Sequence, residues 1–256
     1  MSQLLTALPV AELQPWIHSY RLYNFVAAPA SSLRLYPGTG AELWLTRHDQ
    51  QGSGLLYQRG RAMELARPHG PVFAIRFRAG ALAAFCELSL HEFVDAFLPP
   101  TALWPDSRQQ LLRIQRSDAF AEQCQLSDRQ LLSQLRDQHG AASSLLARQI
   151  FQQPATFRIG EHAEQIGMHR SQLSRQFHAQ QGVSAKHYQR LCRFERFLRA
   201  ASFSRGCSLC ELAHAHGFYD QAHMNREVRL FSGARPTQLA EHTDTPLFYS
   251  PLAGAS

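Results

Sequence analysis

The feature that most constrains this chain is an internal repeat in its last third. Ile159, Glu161, Ala163 and Gly167 return 50 residues later as Leu209, Glu211, Ala213 and Gly217. Leu173, Arg175, Phe177 and Gly182 return after 51 residues as Met224, Arg226, Val228 and Gly233. The extra residue falls just after the first glycine, where a turn absorbs it. A self-similar spacing of this size means one supersecondary unit used twice. In each copy an apolar residue and an alanine, four apart, face inward from a short first helix. The small alanine lets a second helix cross closely. Gly167 or Gly217 ends the first helix, where a left-handed residue is favoured. The second helix buries Leu173 and Phe177, or Met224 and Val228, one turn apart. This is the pattern of a helix-turn-helix, whose second helix enters the major groove of DNA.

If those apolar pairs point inward, the opposite flanks are exposed. In the first unit they carry Arg170, Ser171, Ser174, Arg175 and His178. In the second they carry Gln221, Ala222, Asn225, Arg226 and Arg229. Arginine reads guanine edges, and Asn or Gln reads adenine. Arg170, Ser171, Ser174, Arg175, Gln221, Asn225 and Arg226 are therefore the candidate base readers. Arg158, His178, Arg190, Arg205, Arg229 and Arg235 are candidate phosphate contacts, which position without reading sequence. The plainer account of any single arginine is a solvated face of a helical bundle. The pattern as a whole, occurring twice in order, favours recognition.

Between the units, residues 184–200 place Tyr188, Leu191, Phe194, Phe197 and Leu198 at helical spacing. A stiff helix there would fix the separation of the units. About 34 Å, one turn of B-DNA, would seat both in successive major grooves and read two blocks roughly ten base pairs apart.

Charge agrees with a polyanionic partner. Residues 155–242 hold 12 Lys/Arg against 7 Asp/Glu, whereas residues 1–154 hold 14 against 12. Nearly all basic charge is arginine, with Lys186 the single lysine. The planar guanidinium fork suits phosphates and guanine, although a GC-rich coding sequence produces the same bias.

The first part of the chain reads differently. Residues 33–36 alternate and stop at Pro37-Gly38, residues 42–46 are mixed, and residues 72–78 set Phe73, Ile75 and Phe77 opposite Arg76 and Arg78. Period two with Gly/Pro punctuation signals strands. Helical patterns follow over 81–88, 89–97, 107–116 and 127–136. The expected fold is an α+β N-terminal domain (a small sheet or partial barrel plus helices), followed by an all-α domain with two helix-turn-helix units joined by a long helix. The expected division is 1–138 for effector binding or dimerisation, 139–242 for DNA binding, and a loose tail over 243–256. No run approaches 18 apolar residues and no leader pattern opens the chain, so a cytoplasmic location is the default expectation.

The segments "IGEHAEQIGMHRSQLSRQFHAQQGVSAKHYQ" and "SLCELAHAHGFYDQAHMNREVRLFSGARPTQL" resemble the AraC/XylS family of bacterial transcription regulators. The family pattern Gly-Phe-x-Asp-x-x-His-Phe-x-Arg meets Gly217, Phe218, Asp220, His223, Met224 and Arg226. The resemblance spans roughly residues 139–242. It implies promoter binding, with base contacts at Ser171, Ser174, Arg175, Gln221, Asn225 and Arg226. Departures are Ser184-Ala185 where Ser-Pro is usual, His178 where a basic residue is usual, and Val228 for a common Phe. The segments "LRLYPGTGAELWL", "VFAIRFRAGALAAF" and "LHEFVDAFLPPTALW" resemble a sensory domain of unknown ligand found ahead of some such units. That likeness implies an effector or dimerisation role.

Other chemistry finds little footing. There is no GxGxxG, Walker A, HExxH or GxSxG pattern, so no enzyme and no cofactor is expected. His214 and His216, two apart, do not share a helix face, and Cys207-x-x-Cys210 lacks a second pair for zinc. Arg34, Arg76 and Arg78 lie on expected strands beside Glu42. Facing a barrel interior, they would hold an anionic effector. Facing outward, they are the charged side of a sheet, which is the plainer reading. The expected partners are double-stranded promoter DNA, a small effector, a second copy of the chain and RNA polymerase, with no membrane. The competing readings are a constitutive dimeric DNA-binding regulator and an enzyme fused to a DNA-binding module.

Overall fold

The structure, a computed structural model, describes residues 4–25, 32–47, 53–68, 70–86, 90–136, 141–203 and 209–239. The tail from 243 lies outside them. Among the described residues the N-terminal part holds eight strands: β1 (Leu4–Ala7), β2 (Ile17–Phe25), β3 (Ser32–Leu35), β4 (Gly38–Thr46), β5 (Gly54–Arg59), β6 (Met63–Ala66), β7 (Gly70–Phe77) and β8 (Phe97–Leu98). Six form an open antiparallel sheet in the order β1-β2-β7-β4-β5-β8, and β3 pairs with β6 in a second, two-stranded sheet. Two helices follow, α1 (Arg108–Arg116) and α2 (Phe120–Gln134). The C-terminal part is helical: α3 (Ala141–Gln152), α4 (Ile159–Gln165), α5 (Arg170–Gln181), α6 (Ala185–Phe203), α7 (Leu209–Ala215), α8 (Gln221–Ser232) and α9 (Pro236–Leu239). The α+β then all-α architecture is as expected, with the sheets unclosed.

The strand alternation sorts side chains to two different cores. Leu43 and Leu45 of β4, with Phe73, Ile75 and Phe77 of β7, pack beneath α1 and α2 among Leu111, Ile114 and Leu131. Trp44, Val72 and Ala74 point the other way and join Leu191, Phe194, Phe197 and Leu198 of α6 with Met224, Val228 and Phe231 of α8. The sheet is thus a middle layer with helices on both faces. A third cluster gathers Leu146 and Ile150 of α3, Ala163 of α4, Leu173 and Phe177 of α5, and Tyr188 of α6. Apolar burial at roughly 25 cal/mol per Å² drives all three.

Two expected helices are not formed. Of the stretches expected over 81–88 and 89–97, the described residues 81–86 and 90–97 give only short 3-10 turns at Leu82–Ala84 and Leu90–Phe93, and then the strand β8. Ala81, Leu82, Ala84 and Phe85 are all buried, so there is no solvent face for a helical period to leave exposed. Burial on both faces also masks β2, whose sequence IHSYRLYNF lacks clean alternation.

Candidate nucleic-acid interface

The two repeats fold as two equivalent helix-turn-helix units, α4–α5 and α7–α8. Ala163 and Ala213 are buried at the crossings. Gly167 and Gly217 take φ of 65° and 75°, the left-handed conformation that ends each first helix. Met168 and Phe218 then return their N–H groups to Ala163 O at 2.9 Å and Ala213 O at 3.0 Å. Each second helix opens on a side-chain cap. The Ser171 N–H donates to His169 Nδ1 at 3.3 Å, and the His223 N–H donates to Asp220 Oδ1 at 2.6 Å. The extra residue of the second unit is Tyr219, between Phe218 and the cap. Tyr219 is 86% exposed, while its N–H is held by His223 Nδ1 at 3.2 Å.

Leu173, Phe177, Met224 and Val228 are buried. That leaves Arg170, Ser171, Arg175, Gln221, Ala222 and Arg226 exposed, with Ser174 and Asn225 half-buried beside them. His178 and Arg229 lie exposed one turn further on, and Arg158 and Arg235 are exposed before α4 and α9. Arg205 lies outside the described residues. Arg170, Arg175, Arg226 and Arg229 form no ion pair within 4 Å among the described residues, whereas several arginines elsewhere, Arg47, Arg76, Arg190 and Arg199 among them, face a carboxylate of the chain. Arg47 pairs with Asp118, and Arg199 with Glu195 at 2.9 Å. A cation left unpaired on a helix face is available to a phosphate or a guanine.

Arg190 differs from its expected role as a phosphate contact. Its guanidinium clasps Glu227 of α8 through two bonds of 2.9 and 2.8 Å and covers the Phe231 ring at 5.4 Å. Burial raises the Glu227 carboxyl, but the bond and charge of Arg190 prevail and hold it below its ordinary range. Arg190 therefore ties connector to reading helix inside the fold. No local pattern signals this, because Glu227 stands 37 residues away.

The connector α6 runs 19 residues, about 28 Å of helix. Tyr188, Leu191, Phe194, Phe197 and Leu198 are all fully buried along it. Glu195 is buried too and fastens α6 to the sheet. It accepts from the Thr39 N–H at 2.9 Å and the Thr39 hydroxyl at 2.7 Å, and faces Arg76 at 3.8 Å. Burial would raise its carboxyl, but Arg199, Arg76 and Thr39 together hold it below the usual range.

Among the residues read as an effector site, Arg76 and Arg78 come together and Arg34 does not join them. Arg76 and Arg78 line a cleft of about 280 Å³ between sheet and connector, with His18, Phe77, Arg148, Phe151, Glu195 and Arg199. Burial, then Arg76, Arg21, Arg78 and Arg199, push the His18 imidazole down to about 3. Glu42 is buried next to the cleft rather than in it, accepting from the Tyr23 hydroxyl at 3.0 Å. Arg34 reaches Ser232 O of α8 at 3.0 Å. The charged side of β7 thus faces the connector helix and not open solvent.

Among the described residues, no helix is long and apolar enough to cross a membrane, and no three His, Cys, Asp or Glu gather closely enough to hold a metal ion. Cys210 is exposed, and its spacing partner Cys207 lies outside the described residues.

Residues 162–242 match the family model described as a helix-turn-helix domain. No curated protein matches the chain. Among solved structures, the chain is similar to the C-terminal domain of AraT, a response regulator from Geobacillus stearothermophilus, at 20% identity and a TM-score of 0.34, over 38% of this chain and 84% of that one. It is also similar to ToxT from Vibrio cholerae, at 7% identity and a TM-score of 0.48, over 94% of this chain and 98% of that one.

The matched segment, its duplicated turns and its exposed second helices define a DNA-binding protein of the helix-turn-helix class. Two such units stand in tandem behind the α+β domain.

Proposed function

We propose that this protein is a sequence-specific transcription regulator of the AraC/XylS type, which reads two short blocks of one promoter, about ten base pairs apart, and answers to a small organic anion held between its two halves. The observation that carries the first part is the pair of equivalent reading faces with uncommitted arginines, Arg170 and Arg175 on α5 and Arg226 and Arg229 on α8. Arg175, Arg226, Gln221 and Asn225 read bases; Arg170, Ser171 and Ser174 adjust depth and reading at the first block. His178, Arg229, Arg158 and Arg235 grip phosphates. Residues 1–138 form the sensing domain and residues 139–242 the reading domain. This reading places the protein in the cytoplasm, with promoter DNA, a second copy and RNA polymerase as partners.

The anion reading is supported by the cleft between β7 and α6. Four arginines and one carboxylate, Glu195, leave it cationic, while Phe77 and Phe151 add apolar wall. A ligand with one carboxylate and a short apolar body suits that mixture. The test is a thermal-shift panel of small carboxylates and their neutral amides on the full chain, followed by duplex titration with each hit. A carboxylate that raises the melting temperature and also changes duplex affinity, with its amide inert, is the expected result. A panel in which no anion does both would favour the constitutive regulator instead.

A further inference from the structure

The two reading helices share a feature that the helix-turn-helix pattern does not require: both are gripped at their C-terminal ends by the strand-rich half. On α8, the Arg34 guanidinium from β3 donates to Ser232 O at 3.0 Å, and the Ala62 N–H donates to Phe231 O at 3.0 Å. These are carbonyls of the last turn, which have no partner within the helix and carry its negative dipole end. A cation there is doubly favourable. On α5, the Gln181 side chain is buried and donates to Gly80 O at 3.4 Å. The next residue, Gly182, lies so close to the 90–93 turn that a Cβ would stand 2.8 Å from His91 N and Cα. Gln181 and Ser232 are 51 residues apart, and so are Gly182 and Gly233. The same position of each repeat is therefore the one held. The N-terminal ends, with Arg170 and Gln221, stay exposed.

We propose that the strand-rich half is a second spacer beside α6, setting the distance and phase between the reading helices, with Arg34 the positioning residue that does so for the second unit. Two units joined by one helix can still roll about it. Holding each reading helix at its far end removes that freedom. Adding or removing one base pair between blocks shifts the second block by about 3.4 Å and turns it by about 34°. A doubly held pair cannot follow such a shift, whereas a singly held pair can. Arg34 itself touches no DNA. The proposal rests on the two-block reading, and its test separates the two.

The experiment titrates the full chain, wild type, Arg34→Ala and Arg34→Lys, against duplexes selected by the wild type, with the central spacer at its selected length and one base pair longer or shorter. A duplex carrying the second block alone is the control. We expect the wild type to lose about tenfold or more in affinity on a one-base-pair change, a free-energy difference of about 1.4 kcal/mol. Arg34→Ala flattens that profile to less than about threefold and leaves single-block affinity unchanged, and Arg34→Lys restores much of the profile. If Arg34→Ala keeps the wild-type profile, or weakens the single-block duplex as much as the full site, the spacer role is wrong. If the wild type itself shows no spacing preference, the spacer role is wrong while two-block reading stands; if the wild type binds the single-block duplex as tightly as the full site, two-block reading itself fails.

Discussion

At the scale of single residues, recognition depends on which charges are committed and which are left over. Arg190 and Arg199 face internal carboxylates, and Arg175 and Arg226 do not. Replacing Arg175 or Arg226 with Ala should each cost about 1–3 kcal/mol on the selected duplex and relax preference only at the bases of its own block. Titrations against duplexes substituted one pair at a time check this; unchanged binding in both variants would mean that other faces read the DNA. His18 makes a second prediction. The unfolded chain takes up its proton near 6.5, but the folded chain only near 3, because burial and the surrounding arginines exclude the charge. Protonation therefore favours unfolding, and stability falls as pH drops from about 6.5 toward 3. Melting temperatures from about pH 8 to about pH 5 should decline on the acid side, and His18→Asn should flatten the slope. A wild-type curve level across that range would contradict the burial of a neutral imidazole. Glu195 acts further down: its lowered carboxyl contributes stability at neutral pH that is lost as the pH falls through the carboxylate range.

At the scale of elements, the duplicated glycines separate local strain from packing. Gly167 has positive φ with nothing within 4 Å of the place a Cβ would occupy, so Gly167→Ala meets the left-handed penalty alone, about 1–2 kcal/mol. Gly217 has the same conformation, but its Cβ would stand 2.4 Å from that of Ala155. Gly217→Ala should therefore cost about 1–3 kcal/mol more, by overpacking, in a denaturant titration. Equal losses at the two sites would remove the packing argument. These elements are the legible part of the chain. Period 3.6, left-handed glycines and a fifty-residue repeat are local signals, and α4, α5, α7 and α8 all stand where they point. The reading faces follow from the same periodicity. What is not legible depends on distant partners. The strands β1, β2, β5 and β6 have no clear signature, β2 because a strand covered on both sides does not alternate. The Ala-rich stretch after Gly80 has a helical pattern, and its burial by the sheet and the neighbouring helices cannot be seen locally. Arg34, Arg76 and Arg78 stand on or beside strands as their period-two setting requires, but no local pattern tells that a helix from the other half covers that face.

At the scale of the whole molecule, the sheet is shared. One face builds the core of the N-terminal half, and the other is buried against α6 and α8, with Glu195 and Arg34 as polar fasteners across the boundary. A ligand in the cleft beside Glu195 would thus lie against the connector of both helix-turn-helix units, and the proposed sensing would have a short mechanical path to DNA. Breaking that fastener should be costly: Glu195→Ala leaves Arg76 beside an emptied buried site, and loss of one partner of a buried pair typically costs about 3–5 kcal/mol. A melting temperature unchanged in Glu195→Ala would show that the halves are not coupled there. Two helices on one rigid body reading two blocks of a single duplex is the claim on which all else rests, and selection of bound sequences from a random duplex pool by the full chain tests it most directly. Two enriched blocks about ten base pairs apart, centre to centre, are predicted, the first blurred by Arg175→Ala and the second by Arg226→Ala. A single enriched block, or two blocks that blur together with either variant, would contradict it.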